Sequence, residues 1–407
     1  MAARQIDIVI IGGGIGGLTL AALLGQAGLK ITIVDPHKPA PFKKTENTGR
    51  TVALMKSSVN ILKNTGIWDM LKPLSNPMNM MRIIDDSDAG KEPIEIEFPA
   101  QDIGLDQFGY NIPNGHLRAA LYERIEKIKT VEFIESAFND YTVDEGSIIV
   151  RLENKKLIRA RLLVGADGRN SAVREFAGIQ VATKKYDQSA ITCLINHSRS
   201  HNNTSTEFHR TNGPMALVPL PGNQSSVVWV ENTKTAEALI RLKKQEFQQA
   251  LQDKTGNILG GMTLEHGPEC WPLCTIRAKA ITSKRVALIA EAAHVMSPIT
   301  AQGLNLSLRD VAALAESIID NARLGIDIGA DNVLKTYEKR RRMDIETRVF
   351  GVDIMNRMVS TDALGIKRLR RAGLKSLDAA TPLKTLAMQI GLAPQMDQGR
   401  LARGKEL

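Results

Sequence analysis

Residues 6–35, IDIVIIGGGIGGLTLAALLGQAGLKITIVD, decide the fold. The apolar and largely β-branched run Ile6–Ile11 is typical of a buried parallel strand. A glycine-rich turn follows, and then a helical stretch with leucines on one face, for which Gly28 is the stop signal. The segment Lys30–Val34 predicts a second strand that ends at Asp35. Together these signals predict a strand–turn–helix–strand unit within a parallel α/β sheet.

The glycine-rich turn has the spacing of a dinucleotide-binding fingerprint, GxGxxG, and its residues are Gly12, Gly14, Ile15, Gly16 and Gly17. Such glycines let the backbone approach a pyrophosphate at the N-terminus of the following helix. An acidic residue about 20 positions later binds ribose hydroxyls in this fingerprint, and Asp35 has that place. The alternative is a glycine turn in an ordinary βαβ unit, with Asp35 as a solvated strand end. The motif alone does not distinguish NAD from FAD.

Two further segments combine a strand, a turn and the start of a helix. In residues 162–174, LLVGADGRNSAVR, Asp167 stands in the turn and Ser171 is placed to cap the helix. In residues 285–305, the strand Arg285–Ile289 is followed by EAAHVMSP and then by TAQGLN at a helix start. Taken alone, the first of these segments is better explained as a turn, whereas the second directs a helix N-terminus towards something.

These three segments resemble the flavin motifs of the single-component aromatic hydroxylases, which share the p-hydroxybenzoate hydroxylase fold. The stretches that carry the resemblance are GGGIGG, GADGRNSAVR and AEAAHVMSPITAQGLNLSLRD. Others narrow it to the FAD-dependent hydroxylases of ubiquinone biosynthesis, of the UbiH, UbiI and UbiF type. They are GRTVALMKSSVNILKNTGIW (49–68), FGYNIPNGHLRAAL (108–121), TSTEFHRTNGPMALVPLPGNQSSVVWVE (204–231) and LKTYEKRRRMDIETRVFGVDIMNRMVSTD (334–362). The resemblance therefore covers nearly the whole chain.

The resemblance places a set of residues at FAD. They are Gly12, Gly14, Ile15, Gly16, Gly17, Asp35, Arg50, Asn114, Asp167, Glu291, Pro298, Gln302, Gly303, Leu304 and Asn305. For Arg50 the alternative is a surface arginine in a polar loop. The family usually has Gly-Asp where this chain has Ala290-Glu291, so an acceptor hydrogen bond to FAD has a longer reach and the backbone loses the freedom of glycine. Weakened FAD binding is therefore an expectation.

The activity that the resemblance implies is FAD-dependent hydroxylation of the ring of a polyprenyl phenol, with O2 as co-substrate. NAD(P)H would act as a transient reductant, since no second GxGxxG occurs. A flavin hydroxylase of a small soluble aromatic, or a degenerate flavin fold serving as an assembly subunit, are the alternatives. No catalytic residue is assigned, and His294 is expected to be structural. No metal site is expected, because Cys270 and Cys274 lack a second cysteine pair.

The expected fold class is α/β, with a Rossmann-like FAD-binding domain, a β-sheet substrate domain and C-terminal helices. The FAD-binding domain is expected to be discontinuous, over residues 1–75, 105–180 and 281–325. Residues 76–104 and 181–280 are expected to form the substrate sheet, since runs such as Met215–Leu220 and Ser226–Val230 indicate antiparallel strands. Residues 326–407 are expected to form a basic helical region.

Composition supports a folded protein of two or three structural units, with 407 residues, 43% hydrophobic and 24% charged. It excludes disorder, collagen-like repeats and a disulfide scaffold, and three cysteines fit reduced thiols in a cytosolic-type compartment. Residues 8–29 carry no charge, but the glycines within them favour a strand–turn–helix over a membrane span. No secretory signal is expected.

The net charge of +9 is concentrated near the C-terminus, where residues 335–407 hold 16 Lys or Arg and 8 Asp or Glu. The basic clusters are KRRR at 339–342 and KRLRR at 367–371, and an apolar helical stripe follows at Leu383, Leu386, Ala387 and Ile390. One interpretation is an anionic membrane surface, which would place a cytoplasmic protein peripherally on the inner face of the membrane. A solvated basic face, contact with other ubiquinone-biosynthesis proteins and a homo-oligomer are the alternatives; nucleic acid is not an expected partner.

Overall fold

The computed structural model describes residues 5–87, 91–361, 363–392 and 399–407. The strands in chain order are β1 (Gln5–Ile11), β2 (Ile31–Asp35), β3 (Thr51–Met55), β4 (Asn76–Met78), β5 (Met80–Asp85), β6 (Ile94–Pro99), β7 (Gly109–Pro113), β8 (Val131–Glu135), β9 (Phe138–Asp144), β10 (Ser147–Leu152), β11 (Leu157–Gly165), β12 (Val181–His197), β13 (Thr204–His209), β14 (Met215–Leu220), β15 (Gln224–Asn232), β16 (Met262–Ala278), β17 (Thr282–Ser283), β18 (Val286–Leu288) and β19 (His294–Val295). The helices are α1 (Ile15–Gln26), α2 (Lys56–Lys63), α3 (Trp68–Leu71), α4 (Asn114–Glu126), α5 (Ala172–Phe176), α6 (Thr233–Leu239), α7 (Lys244–Thr255), α8 (Gln302–Arg323), α9 (Asp331–Ser360), α10 (Leu364–Ala379) and α11 (Thr381–Leu392).

The first sheet has the strand order β17-β18-β11-β1-β2-β8, and β10 and β9 extend it from β11. β1 lies between β11 and β2 and is parallel to both. Its central residues Ile8 and Ile10 are fully buried, because helices cover both faces of a parallel sheet. The predicted α/β class is confirmed, and the first strand and helix lie where the opening motif predicts them.

The second sheet has the order β19-β16-β12-β15-β14-β13-β5-β6 and is largely antiparallel. β5 and β6, from the segment after residue 76, join it through a parallel pairing of β5 with β13. One face packs on α6 and α7 through a core that includes Phe208, Trp229 and Phe247. Since side chains alternate along a strand, the opposite face is free to line a cavity.

A small sheet of order β3-β7-β4 lies between the two large ones. The Thr51 and Ser226 hydroxyls are 2.6 Å apart, and Asn111 donates from Nδ2 to the Pro219 carbonyl at 3.1 Å. These contacts join β3 and β7 to β15 and β14. The small sheet thereby holds the loops of the first sheet against the open face of the second.

The basic clusters near the C-terminus are only partly on the surface, so the alternative of a fully solvated basic face does not hold for all of their arginines. Arg341, Arg370 and Arg371 are 3%, 6% and 8% exposed. Arg370 pairs with the fully buried Asp85 at 2.7 Å, and Arg371 donates to the Asp85 carbonyl at 3.2 Å. These arginines therefore attach α10 to β5, because a buried charge needs a partner.

The predicted apolar stripe on the last helix is largely exposed where the structure describes it, so it is not packed on the core as the solvated-face alternative has it. Leu383 and Leu386 are each 51% exposed, whereas Met388 is 2% exposed and packs against β6 and Leu374. The side chain of Ile390 lies outside the described residues. In the described part of the chain, no helix is both long and apolar enough to cross a membrane.

Candidate functional site

Two glycines of the opening motif are fixed by the packing of the protein itself. Gly12 has a φ of +111°, and a Cβ there would lie 2.2 Å from the Ala166 carbonyl oxygen. A Cβ on Gly17 would lie 2.1 Å from the carbonyl oxygen of Gly12. Any side chain at either position would push α1 away from the ends of β1 and β11.

Gly14 serves a different purpose, because its Cβ position has no atom within 4 Å. It is the N-cap of α1 and leaves the first N–H groups of that helix, from Ile15 onwards, without a side-chain cap. A Cβ at Gly16 would lie 3.2 Å from the Cβ of Ala290, so the third flavin motif borders this helix start. The turn thus presents an open, uncapped helix N-terminus, which favours an anion.

Asp35 is bonded to the glycine turn. Its Oδ2 accepts from the Gly13 N–H at 2.6 Å, and its Oδ1 accepts from the His37 N–H at 2.8 Å. Arg118 of α4 donates to the carbonyls of Gly13 and His37, both at 2.8 Å, and lies 3.7 Å from Oδ1 of Asp35. Arg118 was missed by sequence reasoning, since it is 105 residues from Gly13 and no local pattern marks it.

Asp167 lies in its predicted turn, and its carboxylate forms hydrogen bonds with residues of the same segment. It accepts from the Ser171 hydroxyl at 2.6 Å and from the Val173 N–H at 3.1 Å, at the start of α5. Burial raises the pKa of Asp167 above its ordinary value, although these hydrogen bonds act in the opposite direction. Ser171 accepts from the Arg174 N–H as predicted, and Arg174 donates to the Ala292 carbonyl at 2.9 Å. The second and third motifs are thereby joined.

A cavity of about 360 Å³ lies between the first sheet and the open face of the second. Of the predicted residues, those that line it are Arg50, Asn114, Glu291, Pro298, Gly303 and Leu304. They come from segments far apart in sequence, which the fold brings together. The glycines and Ile15 of the opening motif, Asp35 and Asp167 are not among the residues that line this cavity; they lie around the α1 turn and the neighbouring Asp167 turn.

Gln302 and Asn305 are buried behind the cavity wall. Asn305 is fully buried, accepts from the Met55 N–H at 2.8 Å and donates to the Ala53 carbonyl at 2.8 Å. Gln302 is 4% exposed and donates to the Gly391 carbonyl at 3.3 Å. These amides hold the N-terminal turn of α8 against β3 and α11, so the backbone at Gly303 is presented to the cavity.

Several buried polar atoms in the cavity wall have no hydrogen-bond partner within the described residues. They are Oδ1 of Asn111, Oδ1 of Asn114, Oγ1 of Thr192 and Oγ of Ser297. An unpaired buried polar group costs about 1–3 kcal/mol, so such a set indicates a polar ligand. The open start of α1 and this wall are chemically compatible with FAD, whose pyrophosphate the helix start would hold and whose ring system the cavity would accept.

Arg50 is exposed at the cavity rim, and its guanidinium lies 4.5 Å from the ring centroid of Trp271. Arginine on an indole face is a favourable cation–π pair. Arg50 is thus exposed, as the alternative of a surface arginine has it, and it also contacts a ring of the cavity wall; its contact with FAD stays a prediction. Trp271 is 39% exposed and also lines the cavity; sequence reasoning missed it because β16 lies far from Arg50 in sequence.

The pair Ala290–Glu291, which stands where the family usually has Gly-Asp, has a defined backbone conformation. Ala290 has a φ of +56°, a region that favours glycine, and its N–H donates to Oδ2 of Asp310 at 3.1 Å. The Glu291 side chain is 53% exposed and lies 3.8 Å from Nε of Arg169. Alanine therefore keeps the left-handed turn at a cost in strain, and Glu291 reaches the cavity with its carboxylate still solvated.

Asp310 is the centre of a buried charge cluster beneath that turn. It is fully buried and lies 2.6 Å from Nε2 of His294 and 2.8 Å from Nε of Arg341. Burial alone raises the pKa of Asp310, but the charges of His294 and Arg341 outweigh it and hold the pKa below its usual range. His294 does not line the cavity, in agreement with its expected structural role.

Metal chemistry finds no support in the described ranges, where no group of three or more His, Cys, Asp or Glu is arranged to hold an ion. The three cysteines are unpaired, and Cys193 is buried. Burial raises the pKa of Cys193 to about 12, so its thiol is inert at neutral pH.

The sequence matches the family model described as an FAD binding domain over residues 5–349. It is 34% identical to "Ubiquinone hydroxylase UbiL" of Rhodospirillum rubrum, over 100% of this chain and 94% of that protein. It is 28% identical to "3-demethoxyubiquinol 3-hydroxylase" of Escherichia coli, over 96% of this chain and 100% of that protein.

Among solved structures, the chain is similar to p-nitrophenol 4-monooxygenase PnpA from Pseudomonas putida. The TM-score is 0.78 at 17% identity, over 96% of this chain and 99% of that chain. Klebsiella pneumoniae HpxO complexed with FAD gives a TM-score of 0.75 at 15% identity, with the same coverage of 96% and 99%. At these identities the likeness concerns the fold alone.

Proposed function

Because this chain belongs to the FAD binding domain family, we propose that it is an FAD-dependent monooxygenase of ubiquinone biosynthesis. It uses NAD(P)H and O2 to hydroxylate the aromatic ring of a polyprenyl-phenol intermediate. The observation that carries the proposal is the cavity itself, in which the residues of the third flavin motif face an apolar sheet surface. The names of the relatives from Rhodospirillum rubrum and Escherichia coli support the substrate class.

FAD, when bound, supplies the hydride acceptor for NAD(P)H and the activation of O2. The chain supplies binding and electrostatics. The uncapped start of α1 at Gly14 binds the pyrophosphate, and Asp35, oriented by Arg118, accepts from the ribose. The start of α8 has no side-chain cap either and meets the cavity at Gly303 and Leu304. Its positive dipole end stabilises negative charge on the ring system.

The apolar part of the cavity excludes water and accepts the aromatic ring. At one end it is lined by Met55, Met78 and Met81. Methionine adapts its shape to irregular apolar ligands, so this end is suited to the first units of a prenyl tail. This apolar lining would keep water away from the place where the substrate ring meets bound FAD.

The test is mass spectrometry of quinone intermediates in cells that lack the protein. We expect a prenylated phenol that lacks one ring oxygen to accumulate, and its structure identifies the hydroxylated carbon. Expression of the wild-type chain restores the product, whereas a Gly17→Ala variant, whose Cβ would meet the Gly12 carbonyl, does not. Unchanged quinone levels would overturn the proposal and favour a small soluble aromatic substrate.

The location of the substrate leads to a second part of the proposal, a peripheral position on the inner face of the membrane. The contacting helices α10 and α11 expose Leu369 by 67% and Leu383 and Leu386 by 51% each. Arg368 and Lys375 are exposed on α10. Apolar side chains beside cations are typical of surfaces that contact anionic lipid, where each nearby cation contributes about 1 kcal/mol.

This contact is tested by flotation with vesicles of phosphatidylcholine, with and without phosphatidylserine. We expect binding to the anionic vesicles, and a large decrease in the Leu383→Ser, Leu386→Ser double variant. Leu157→Ser is the matched control, since Leu157 is 50% exposed on β11. No binding by the wild-type protein would contradict the membrane contact and favour another ubiquinone-biosynthesis protein as the partner of this surface.

A further inference from the structure

The open face of the second sheet forms a floor for the cavity, and its side chains are small or apolar with one exception. The floor consists of Met81, Ala190, Thr192, Ser205, Glu207, Ala216, Val218, Val228 and Val230. Their strands place them side by side, with Ala190 opposite Val230 and Ala216 opposite both Val228 and Glu207. Glu207 is the one ionisable side chain among these nine residues; from the same sheet, Cys274 of β16 also lines the cavity.

Glu207 is held in position by its neighbour on β13. Its side chain is 16% exposed, and its Oε1 lies 3.0 Å from Nε2 of His209, which is 6% exposed. In the part of the chain that the structure describes, this is the hydrogen bond that the carboxylate makes. Nδ1 of His209 is buried without a partner in the same part of the chain. A carboxylate in apolar surroundings requires hydrogen-bond donors, and one contact leaves it with acceptor capacity.

The surroundings of Glu207 indicate which kind of ligand group would donate the missing hydrogen bond to its carboxylate. Thr192 and Asn111 line the same cavity, and each has a buried polar atom without a partner in the described residues. Apart from Thr192 and Ser205, the rest of the floor is apolar. A planar ring fits over the small side chains of Ala190 and Ala216, and a hydroxyl on that ring reaches the carboxylate at the edge.

We infer that Glu207 binds the hydroxyl group of the phenol and thereby selects phenols over ring ethers. The inference rests on the proposed function and deepens it. The hydroxyl donates to a carboxylate oxygen of Glu207, and the hydrogen bond fixes the rotation of the ring on the floor. A methyl ether has no proton to donate and leaves the carboxylate with His209 as its one partner in the described residues. The site therefore discriminates by the cost of that missing hydrogen bond.

The test is equilibrium dialysis of the FAD-loaded protein, without NAD(P)H, against 4-hexylphenol and its methyl ether, 4-hexylanisole. We expect the wild-type protein to prefer the phenol by about ten- to a hundredfold, as for a charge-assisted hydrogen bond. Glu207→Leu loses that preference, while its affinity for the ether is kept. Glu265 is exposed on β16 of the same sheet, so Glu265→Leu is the matched control and should keep the wild-type preference for the phenol.

Two further variants test the same hydrogen bond in case Glu207→Leu folds poorly. The Glu207→Leu, His209→Leu pair leaves no unpaired imidazole, and Glu207→Gln keeps the shape but not the charge. All three should lower the preference for the phenol. An unchanged preference for the phenol, or an equal loss of affinity for both ligands, would overturn the inference and assign Glu207 a structural role. If the wild-type protein binds neither ligand, the proposed function itself is contradicted.

Discussion

Replacement of Asp310 by Asn removes the central charge of the buried cluster beneath the Ala290 turn. The side chain accepts from Ala290 N–H and lies within hydrogen-bond distance of His294 and Arg341. Breaking a buried pair costs about 3–5 kcal/mol, since the partner charge is left uncompensated. Arg341 keeps a second partner, Asp344, at 2.7 Å, so we expect the lower end, about 3 kcal/mol.

The Asp310→Asn substitution should also weaken the binding of FAD. Asparagine has a single acceptor oxygen for three donors, so the turn that carries Glu291 into the cavity loosens. A loss of about 1.4 kcal/mol there corresponds to a tenfold weaker affinity for FAD. Urea unfolding of the FAD-free protein measures the free energy of unfolding, and fluorescence titration measures the affinity for FAD.

The matched control is Asp320→Asn, on the same helix. Asp320 also pairs with an arginine, Arg400, at 2.6 Å, but its side chain is 50% exposed, so less than about 1 kcal/mol is expected. The pH adds a further check. Because the pKa of Asp310 is held below its usual range, its contribution to stability is present above the ordinary pKa of an aspartate and is lost as the pH falls through the lowered pKa. Equal stabilities of the two variants at neutral pH would refute the reasoning.

Three other changes test separate parts of the structure. Ala290→Gly relieves a left-handed alanine and should raise the free energy of unfolding by about 0.5–1 kcal/mol, as the strain relieved exceeds the entropy of glycine; a lower urea midpoint would contradict this. Gly14→Ala should leave the thermal midpoint of the FAD-free protein unchanged but weaken FAD binding at least about tenfold. Gly17→Ala should lower the thermal midpoint itself, because a Cβ at Gly17, unlike one at Gly14, would collide with the backbone of Gly12. Arg370→Ala should cost about 3–5 kcal/mol and expose α10 to limited proteolysis, while the exposed Arg368→Ala stays within about 0.5 kcal/mol; similar digestion of the two would count against the buried pair.

The local parts of the fold could be predicted from the sequence. The glycine turn, the cap at Ser171 and the strand Met215–Leu220 lie where the pattern places them. Each depends on short-range physics, such as hydrophobic period, turn chemistry and capping. The resemblance to a known family extended these local signals to the whole chain.

The long-range contacts could not be predicted. Arg370 lies 285 residues from Asp85, and nothing in the KRLRR run marks it as buried while Arg368 stays exposed. For the same reason Arg118 and Trp271 were missed, although both contact predicted site residues. The expected FAD contact of Asn305 stays a prediction, because the structure places that side chain behind the cavity wall.

The central claim is that this chain inserts one oxygen atom of O2 into the ring of a polyprenyl phenol. The direct measurement supplies the purified FAD-loaded protein with NAD(P)H, a prenylated phenol and isotopically heavy dioxygen, and analyses the product by mass spectrometry. The account predicts a product that carries one heavy oxygen atom on the ring, and no such product when FAD is omitted. An unchanged phenol, or a product whose new oxygen comes from water, would contradict it.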